Sequence, residues 1–216
     1  MTVAFFDLDH TVLSVNSGSL WVKYQYRKGM LSRGDLLKTF GYLLGYRFAL
    51  VDVEKIVNVA VTRIAGMPED DMRLEVYGWY DREVRQHIDP MMQRAIKSHG
   101  DAGHKLVLLT ASSPYISERV CEELGFDDFL STRFEVQDGK FTGRLQGPMC
   151  YGAAKVAYGQ AWLDEHKKRL DDAWFYSDSY TDLPMLKAVG NPVAVNPDPR
   201  LERWARRHGV QIMSGK

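Results

Sequence analysis

The sequence predicts an α/β fold: a doubly wound, Rossmann-like core with a parallel sheet, carrying an inserted all-helical cap. Three observations lead there. Short apolar runs recur along the chain, and each ends abruptly in small polar or acidic residues. A helical pattern follows these polar stretches. Between the first run and the second lies a long stretch with helical spacing and no strand pattern.

The first run is Val3-Ala4-Phe5-Phe6, ending in Asp7-Leu8-Asp9. The second is Lys105 to Leu109, ending at Thr110-Ala111-Ser112-Ser113. Ala173 to Tyr176 ends at Ser177-Asp178, and Pro192 to Val195 ends at Asn196-Pro197. Continuous apolar runs of this length suit strands buried on both faces, as in a parallel sheet. Leu183, Leu186 and Val189 follow the third run at helical spacing, and Leu201, Trp204 and Ala205 follow the fourth. Phe134 to Leu145 reads as a β-hairpin turning at Asp138-Gly139, an antiparallel appendage to the core. An open α/β sheet places its site at the carboxyl ends of its strands, so these polar stretches are expected to converge.

Residues 15–90 carry four amphipathic patterns. They are Leu20, Trp21 and Tyr24; Leu36, Leu37, Phe40, Leu43 and Leu44; Ile56, Val57, Ala60 and Ile64; and Met72, Val76, Trp79 and Tyr80. Four helices without strands read as a separate module. The expected division is a core of 1–14 and 91–216 with a cap of 15–90.

Composition narrows the function. Lys plus Arg is 28 and Asp plus Glu is 28, a neutral balance that gives no electrostatic case for nucleic acid or an anionic membrane. Arg200, Arg203, Arg206 and Arg207 read as the solvated face of a terminal helix. Cys121 and Cys150 form neither a disulfide framework nor a zinc spacing. The most apolar window, Phe40 to Val51, holds Gly41, Gly45 and Arg47 and is shorter than the about 20 residues a membrane span needs. With chemistry starting at residue 7 and no leader pattern before it, a cytoplasmic protein without an integral membrane segment is expected.

Asp7 and Asp9 follow a strand directly, and on an extended chain they point to one side. Two close carboxylates stay ionised cheaply only beside a cation, and Mg²⁺, a hard cation that works with phosphate, suits them. His10, between site residues on such a segment, is expected to point away. Thr110 stands where a hydroxyl and following backbone N–H groups can cradle a phosphate oxygen. Lys155 opens a helical pattern and can neutralise a nucleophile and a transferring phosphoryl group. Asp178 ends the third run, and Asp182 follows where a helix starts.

The order strand-D-x-D-x-T, strand-T, K, then strand-D-x-x-x-D-L-P resembles the haloacid dehalogenase superfamily of phosphohydrolases. The 23-residue spacing from Lys155 to Asp178, and the helical insert, resemble its phosphoserine-phosphatase-like branch. The resemblance implies Mg²⁺-dependent hydrolysis of a small phosphomonoester through an aspartyl-phosphate. Asp7 would be the nucleophile and a metal ligand. Asp9 would be the general acid and then base, with its main-chain carbonyl on the metal. Thr110, Ala111, Lys155 and Thr181 would hold the phosphoryl group, Asp178 would bind the metal, and Asp182 would be a supporting acid. The branch's phosphoserine phosphatases carry Glu where this chain has Asn16, Ser-Gly-Gly where it has Thr110-Ala111-Ser112, and Gly-Asp-Gly where it has Ser177-Asp178-Ser179. The uncharged Asn16 counts against free phosphoserine itself, and the expected substrate is a small phosphorylated metabolite, phosphoserine-like or histidinol-phosphate-like. Alternatives are a lipid phosphate such as phosphatidylglycerophosphate or lysophosphatidate, or a non-catalytic phosphate-binding member. A phosphorylated receiver module fits less well, because it has no use for Asp9 or the insert.

Overall fold

The computed structural model describes residues 2–31, 34 and 53–215. The stretch Leu36 to Leu44 and the whole apolar window Phe40 to Val51 lie outside the described residues. Among the described residues, eight strands form two sheets. The larger has the order β3-β2-β1-β6-β7-β8, with every pair parallel. Its strands are β1 (Val3–Phe6), β2 (Lys105–Leu109), β3 (Asp128–Leu130), β6 (Trp174–Ser177), β7 (Asn191–Val195) and β8 (Gln211–Met213). The other sheet is the hairpin of β4 (Phe134–Gln137) and β5 (Lys140–Leu145).

All four residues of β1 are buried, so both faces must be covered. Side chains alternate across a strand, and Phe5 and Phe6 accordingly enter different cores. Phe6 joins Leu108, Tyr176 and Val195 under α4 (Pro90–Asp101) and α5 (Pro114–Leu124). Phe5 joins Leu109, Phe175 and Ala194 under α6 (Ala154–Glu165), α7 (Leu183–Ala188) and α8 (Pro199–His208). Each buried Phe contributes roughly 1.5–3 kcal/mol relative to exposure. Four of these helices start on a built-in signal. Asp89 and Asp198 cap α4 and α8 with their carboxylates, and Pro occupies the first turn of both, of α5 and of α7.

The helical patterns of the insert appear as α1 (Ser17–Arg27), α2 (Val53–Thr62) and α3 (Glu69–Trp79). The chain enters and leaves this region along two adjacent segments. Leu13 and Ile88 form an antiparallel bridge, with Ser14 N–H donating to His87 O at 2.8 Å and Asp89 N–H to Val12 O at 2.9 Å. Helix α3 is tied to α5 by Arg73 to Glu118 at 2.5 Å and by the Tyr77 hydroxyl to the same carboxylate at 2.8 Å. The hairpin departs from the expectation of a plain appendage to the core. Its backbone bonds run to the insert: Gly66 N–H to Phe141 O at 2.8 Å and Phe141 N–H to Met67 O at 3.0 Å.

Gly190 shows how closely α7 and β7 meet the preceding turn. A Cβ there would lie 1.8 Å from the carbonyl oxygen of Asp171, a backbone atom that cannot swing aside. Gly190→Ala is expected to lower stability by about 2–4 kcal/mol, read as a shifted denaturation midpoint with the slope unchanged.

Candidate active site

The sheet reverses its winding between β1 and β6: from β1 the chain runs outward to β2 and β3, then returns to β6 on β1's other side. At such a switch point the loops leaving neighbouring strands part and open a crevice. Asp7 leaves β1 here and Asp178 leaves β6, and both line one cavity of about 770 Å³. Asp9, His10, Thr110, Ala111, Lys155, Thr181 and Asp182 line it too. Every residue singled out in the sequence thus borders one space.

Lys155 is its electrostatic centre. It stands in the first turn of α6, 2% exposed, and its Nζ donates to Asp7 Oδ1 at 2.7 Å and to Asp182 Oδ2 at 2.6 Å. Ser177, fully buried at the end of β6, donates its hydroxyl to the same Asp182 oxygen at 2.8 Å. Burial works against the ammonium, but Asp182 and Asp7 outweigh it and hold Lys155 above its usual range. Burial raises Asp7, with the charges of Asp182 and Asp9 adding and Lys155 opposing, to about 7. Burial first, then the charge of Asp7, pushes Asp178 well above the carboxylate range.

The turn after β1 sets the other groups. Val12 N–H bonds Asp7 O at 3.3 Å and Leu13 N–H bonds Leu8 O at 2.9 Å, a wide π-type turn of the kind found at functional sites. His10 takes φ 58° within it, a left-handed conformation uncommon for a residue with a side chain. The extended segment expected from the sequence is therefore interrupted at His10, which borders the cavity instead of pointing away from it. Asp9 turns toward the insert. Its Oδ1 accepts from Ser17 N–H, in the first turn of α1, at 2.7 Å, and its Oδ2 accepts from the Ser112 hydroxyl at 3.1 Å. An anion at a helix N-terminus is favoured by the exposed N–H groups and the dipole.

Thr110 Oγ1 accepts from Ser112 N–H at 3.1 Å, which leaves its own proton to be donated. Ser179 Oγ and Thr181 Oγ1 are 2.9 Å apart on the loop after β6. Asn16 caps α1, accepting from Ser19 N–H at 2.8 Å. Two further groups support the loops, Thr11 of the first motif and Asp198, which carries no signal strong enough to single out in sequence. Thr11 Oγ1 accepts from Asp178 N–H at 3.0 Å, and Asp198 accepts from Tyr180 N–H at 2.6 Å while capping α8. The Asp-Pro pair at 198–199 was the readable trace of the last.

Asp7 and Asp178 bring carboxylate oxygens to the cavity, the donor type a hard divalent cation takes. Among the described residues no group of three or more His, Cys, Asp and Glu side chains forms a metal cluster. That agrees with Asp9's carboxylate being engaged by Ser17 and Ser112, and it limits the side-chain ligands on offer to Asp7 and Asp178. Mg²⁺ commonly takes one or two carboxylates and completes its shell with other oxygens and water. The residues present therefore fit such an ion, which would offset the raised carboxylates.

Comparison with known proteins places this geometry. The family model described as haloacid dehalogenase-like hydrolase matches residues 4–187. The chain is 27% identical over 219 residues to a protein named histidinol-phosphatase from Neisseria meningitidis serogroup C (strain 8013), covering 99% of both. It is 31% identical over 220 residues to a protein named phosphoserine phosphatase SerB1 from Mycobacterium tuberculosis H37Rv, covering 97% of this chain and 69% of that one. A crystal structure of a protein of unknown function from Bordetella pertussis Tohama I superposes with a TM-score of 0.87 at 26% identity, over 98% of this chain and 97% of that one. No helix among the described residues is long and apolar enough to cross a membrane.

Proposed function

This chain belongs to the haloacid dehalogenase-like hydrolase family, and from that premise we propose that it hydrolyses small phosphate monoesters through a phosphorylated Asp7. Relatives named as phosphatases along nearly its whole length support the reaction class. One observation carries the mechanism: a buried Lys155 bonded to both Asp7 and Asp182 at the switch point, with Asp9 bordering the same cavity.

A carboxylate oxygen of Asp7 attacks phosphorus while the bond from phosphorus to the leaving oxygen breaks. Asp9 gives that oxygen a proton and the alcohol departs. Asp9 then takes a proton from water as the water attacks the phosphorylated Asp7. The bond from phosphorus to Asp7 breaks, releasing inorganic phosphate and restoring the Asp7 carboxylate and the protonated Asp9. Lys155, Thr110, Thr181 and the N–H of Ala111 receive the charge on the phosphoryl oxygens, and fixed donors of this kind supply much of the rate. Mg²⁺, held by Asp7, Asp178 and the main-chain carbonyl of Asp9, would add positive charge at the transferring group. Asp182 orients Lys155. Residues 15–90 act as a cap over a core of 1–14 and 91–216. The paired segments at Leu13 and Ile88 support that division, as does the bond from α1 to Asp9.

The substrate is placed in the class of phosphoserine and histidinol phosphate, the compounds named by the relatives. Purified protein with Mg²⁺ is expected to release phosphate from at least one of these or from 4-nitrophenyl phosphate. EDTA should lower the rate by about 100-fold or more, and added Mg²⁺ should restore it. Equal rates with EDTA would remove the metal from the mechanism, and absence of release from all three would sink the hydrolase reading.

A further inference from the structure

A second cavity, of about 320 Å³, adjoins the first. Asp9, Asn16 and Ala111 line both, so the two spaces meet at the group that protonates the leaving oxygen. The second cavity lies between the insert and the α5 end of the core. Its walls are mostly aromatic and aliphatic, with Trp21, Trp79, Tyr115 and Phe134 among them, and its neutral polar lining is Asn16, Ser17, Ser112 and Ser113. Among its described lining residues Asp9 is the one side chain with a formal charge. The Tyr115 hydroxyl is already bonded to Glu69 at 3.2 Å. Trp79 is 2% exposed, and its indole N–H has no partner among the described residues. The volume is about ten times that of a liquid water, the scale of a substituted ring.

We infer that this cavity receives the alcohol half of the substrate, and that this alcohol is a ring-sized, largely apolar group without a carboxylate. The inference rests on the hydrolase reading above and narrows it. With the phosphoryl group against Lys155 in the first cavity, the leaving oxygen meets Asp9 and the remainder of the alcohol continues into the second. An apolar ring removes its own surface and that of the walls from water. A carboxylate would enter a space whose described walls offer no cation and one negative charge, so it would be buried unpaired. Of the two substrate types named above, a ring-bearing alcohol without a carboxylate fits and serine does not.

The test compares 2-phenylethyl phosphate with O-phosphoserine on the full chain with Mg²⁺, as kcat/KM from phosphate release. The expected preference for 2-phenylethyl phosphate is about 100-fold or more. Ala60, exposed on α2 yet lining the cavity, permits a change of wall chemistry without disturbing the core. Ala60→Arg should move the ratio of the two substrates at least about 10-fold toward phosphoserine, because it supplies the missing cation. A ratio is insensitive to the fraction of protein that folds. Phosphoserine turned over as fast or faster by the unmodified protein, or a ratio unmoved by Ala60→Arg, would overturn the inference and leave the hydrolase reading standing. Release from neither substrate, nor from 4-nitrophenyl phosphate, would overturn both.

Discussion

Asp7→Asn is expected to lower Mg²⁺-dependent phosphate release by about 10³-fold or more while leaving the metal-free protein at least as stable as the parent above pH 7. The loss of rate follows from the amide's inability to form the covalent intermediate. The stability half of the prediction comes from charge. Asp7, Asp9, Asp178 and Asp182 border one cavity with a single buried ammonium, Lys155, among them. In the folded protein Asp7 takes up its proton near pH 7, against about 3.9 for an unfolded aspartate. Between those values the folded state binds more protons than the unfolded state, so stability falls as pH rises through the window. Below it the contribution is fully present; above it the contribution is lost. The Asn side chain carries no such penalty and keeps an oxygen for Lys155. The variant should therefore gain on metal-free wild type as pH rises from about 4 to 7, by on the order of 2–4 kcal/mol. Denaturation midpoints in EDTA between pH 4.5 and 8 measure this directly. A difference that stays flat with pH would mean that Asp7 is ionised throughout, and that the cavity is less crowded with charge than its geometry implies.

How much of this was legible in the sequence depends on whether a residue's neighbours along the chain report on its neighbours in space. The central strands were readable because β1, β2, β6 and β7 are covered on both sides, which forces an unbroken apolar run. Strands β3 and β8 were not. Each is three residues long at a sheet edge, begins at an exposed Asp128 or Gln211, and lacks the run that burial would impose. The site residues at strand ends, Asp7, Thr110 and Asp178, were legible because each interrupts an apolar run. Ser177 was not singled out. It closes such a run as an ordinary small residue, and only the fold puts its hydroxyl on Asp182. The bonds that turn Asp9 toward the insert depend on Ser17 and Ser112, 95 residues apart in the chain, and no local pattern announces them. His10 was misjudged because an extended segment was assumed where the backbone takes a wide turn through a left-handed residue.

Lys155→Met should be the most disruptive single change in the molecule, because it removes the one cation bonded to these buried carboxylates among the described residues. The side chains of Lys155 and Asp182 are each 3% exposed and that of Asp7 is 10% exposed, so solvent cannot take over the role. Removing one member of a buried ion pair costs about 3–5 kcal/mol, a large part of the about 5–15 kcal/mol that holds a domain folded. Met matches the length and flexibility of the lysine stem, which keeps the change electrostatic. Without the ammonium, Asp7 is favoured in its neutral form, so its folded pKa rises further above the unfolded one. The deficit against wild type should therefore be largest above pH 7 and shrink as the pH is lowered toward 5 and Asp7 takes up its proton. Adding Asp7→Asn to the lysine variant should recover part of the loss, since the two positions share one bond and their effects cannot add. Phosphate release should fall by about 10²-fold or more in the folded fraction, because the transferring group loses its buried cation. Midpoints for the single and double variants at pH 5, 6.5 and 8 decide the matter. A Lys155→Met protein within about 1 kcal/mol of wild type at pH 8 would mean that water or another cation neutralises these carboxylates, and the buried triad could then no longer be read as the electrostatic centre of the site.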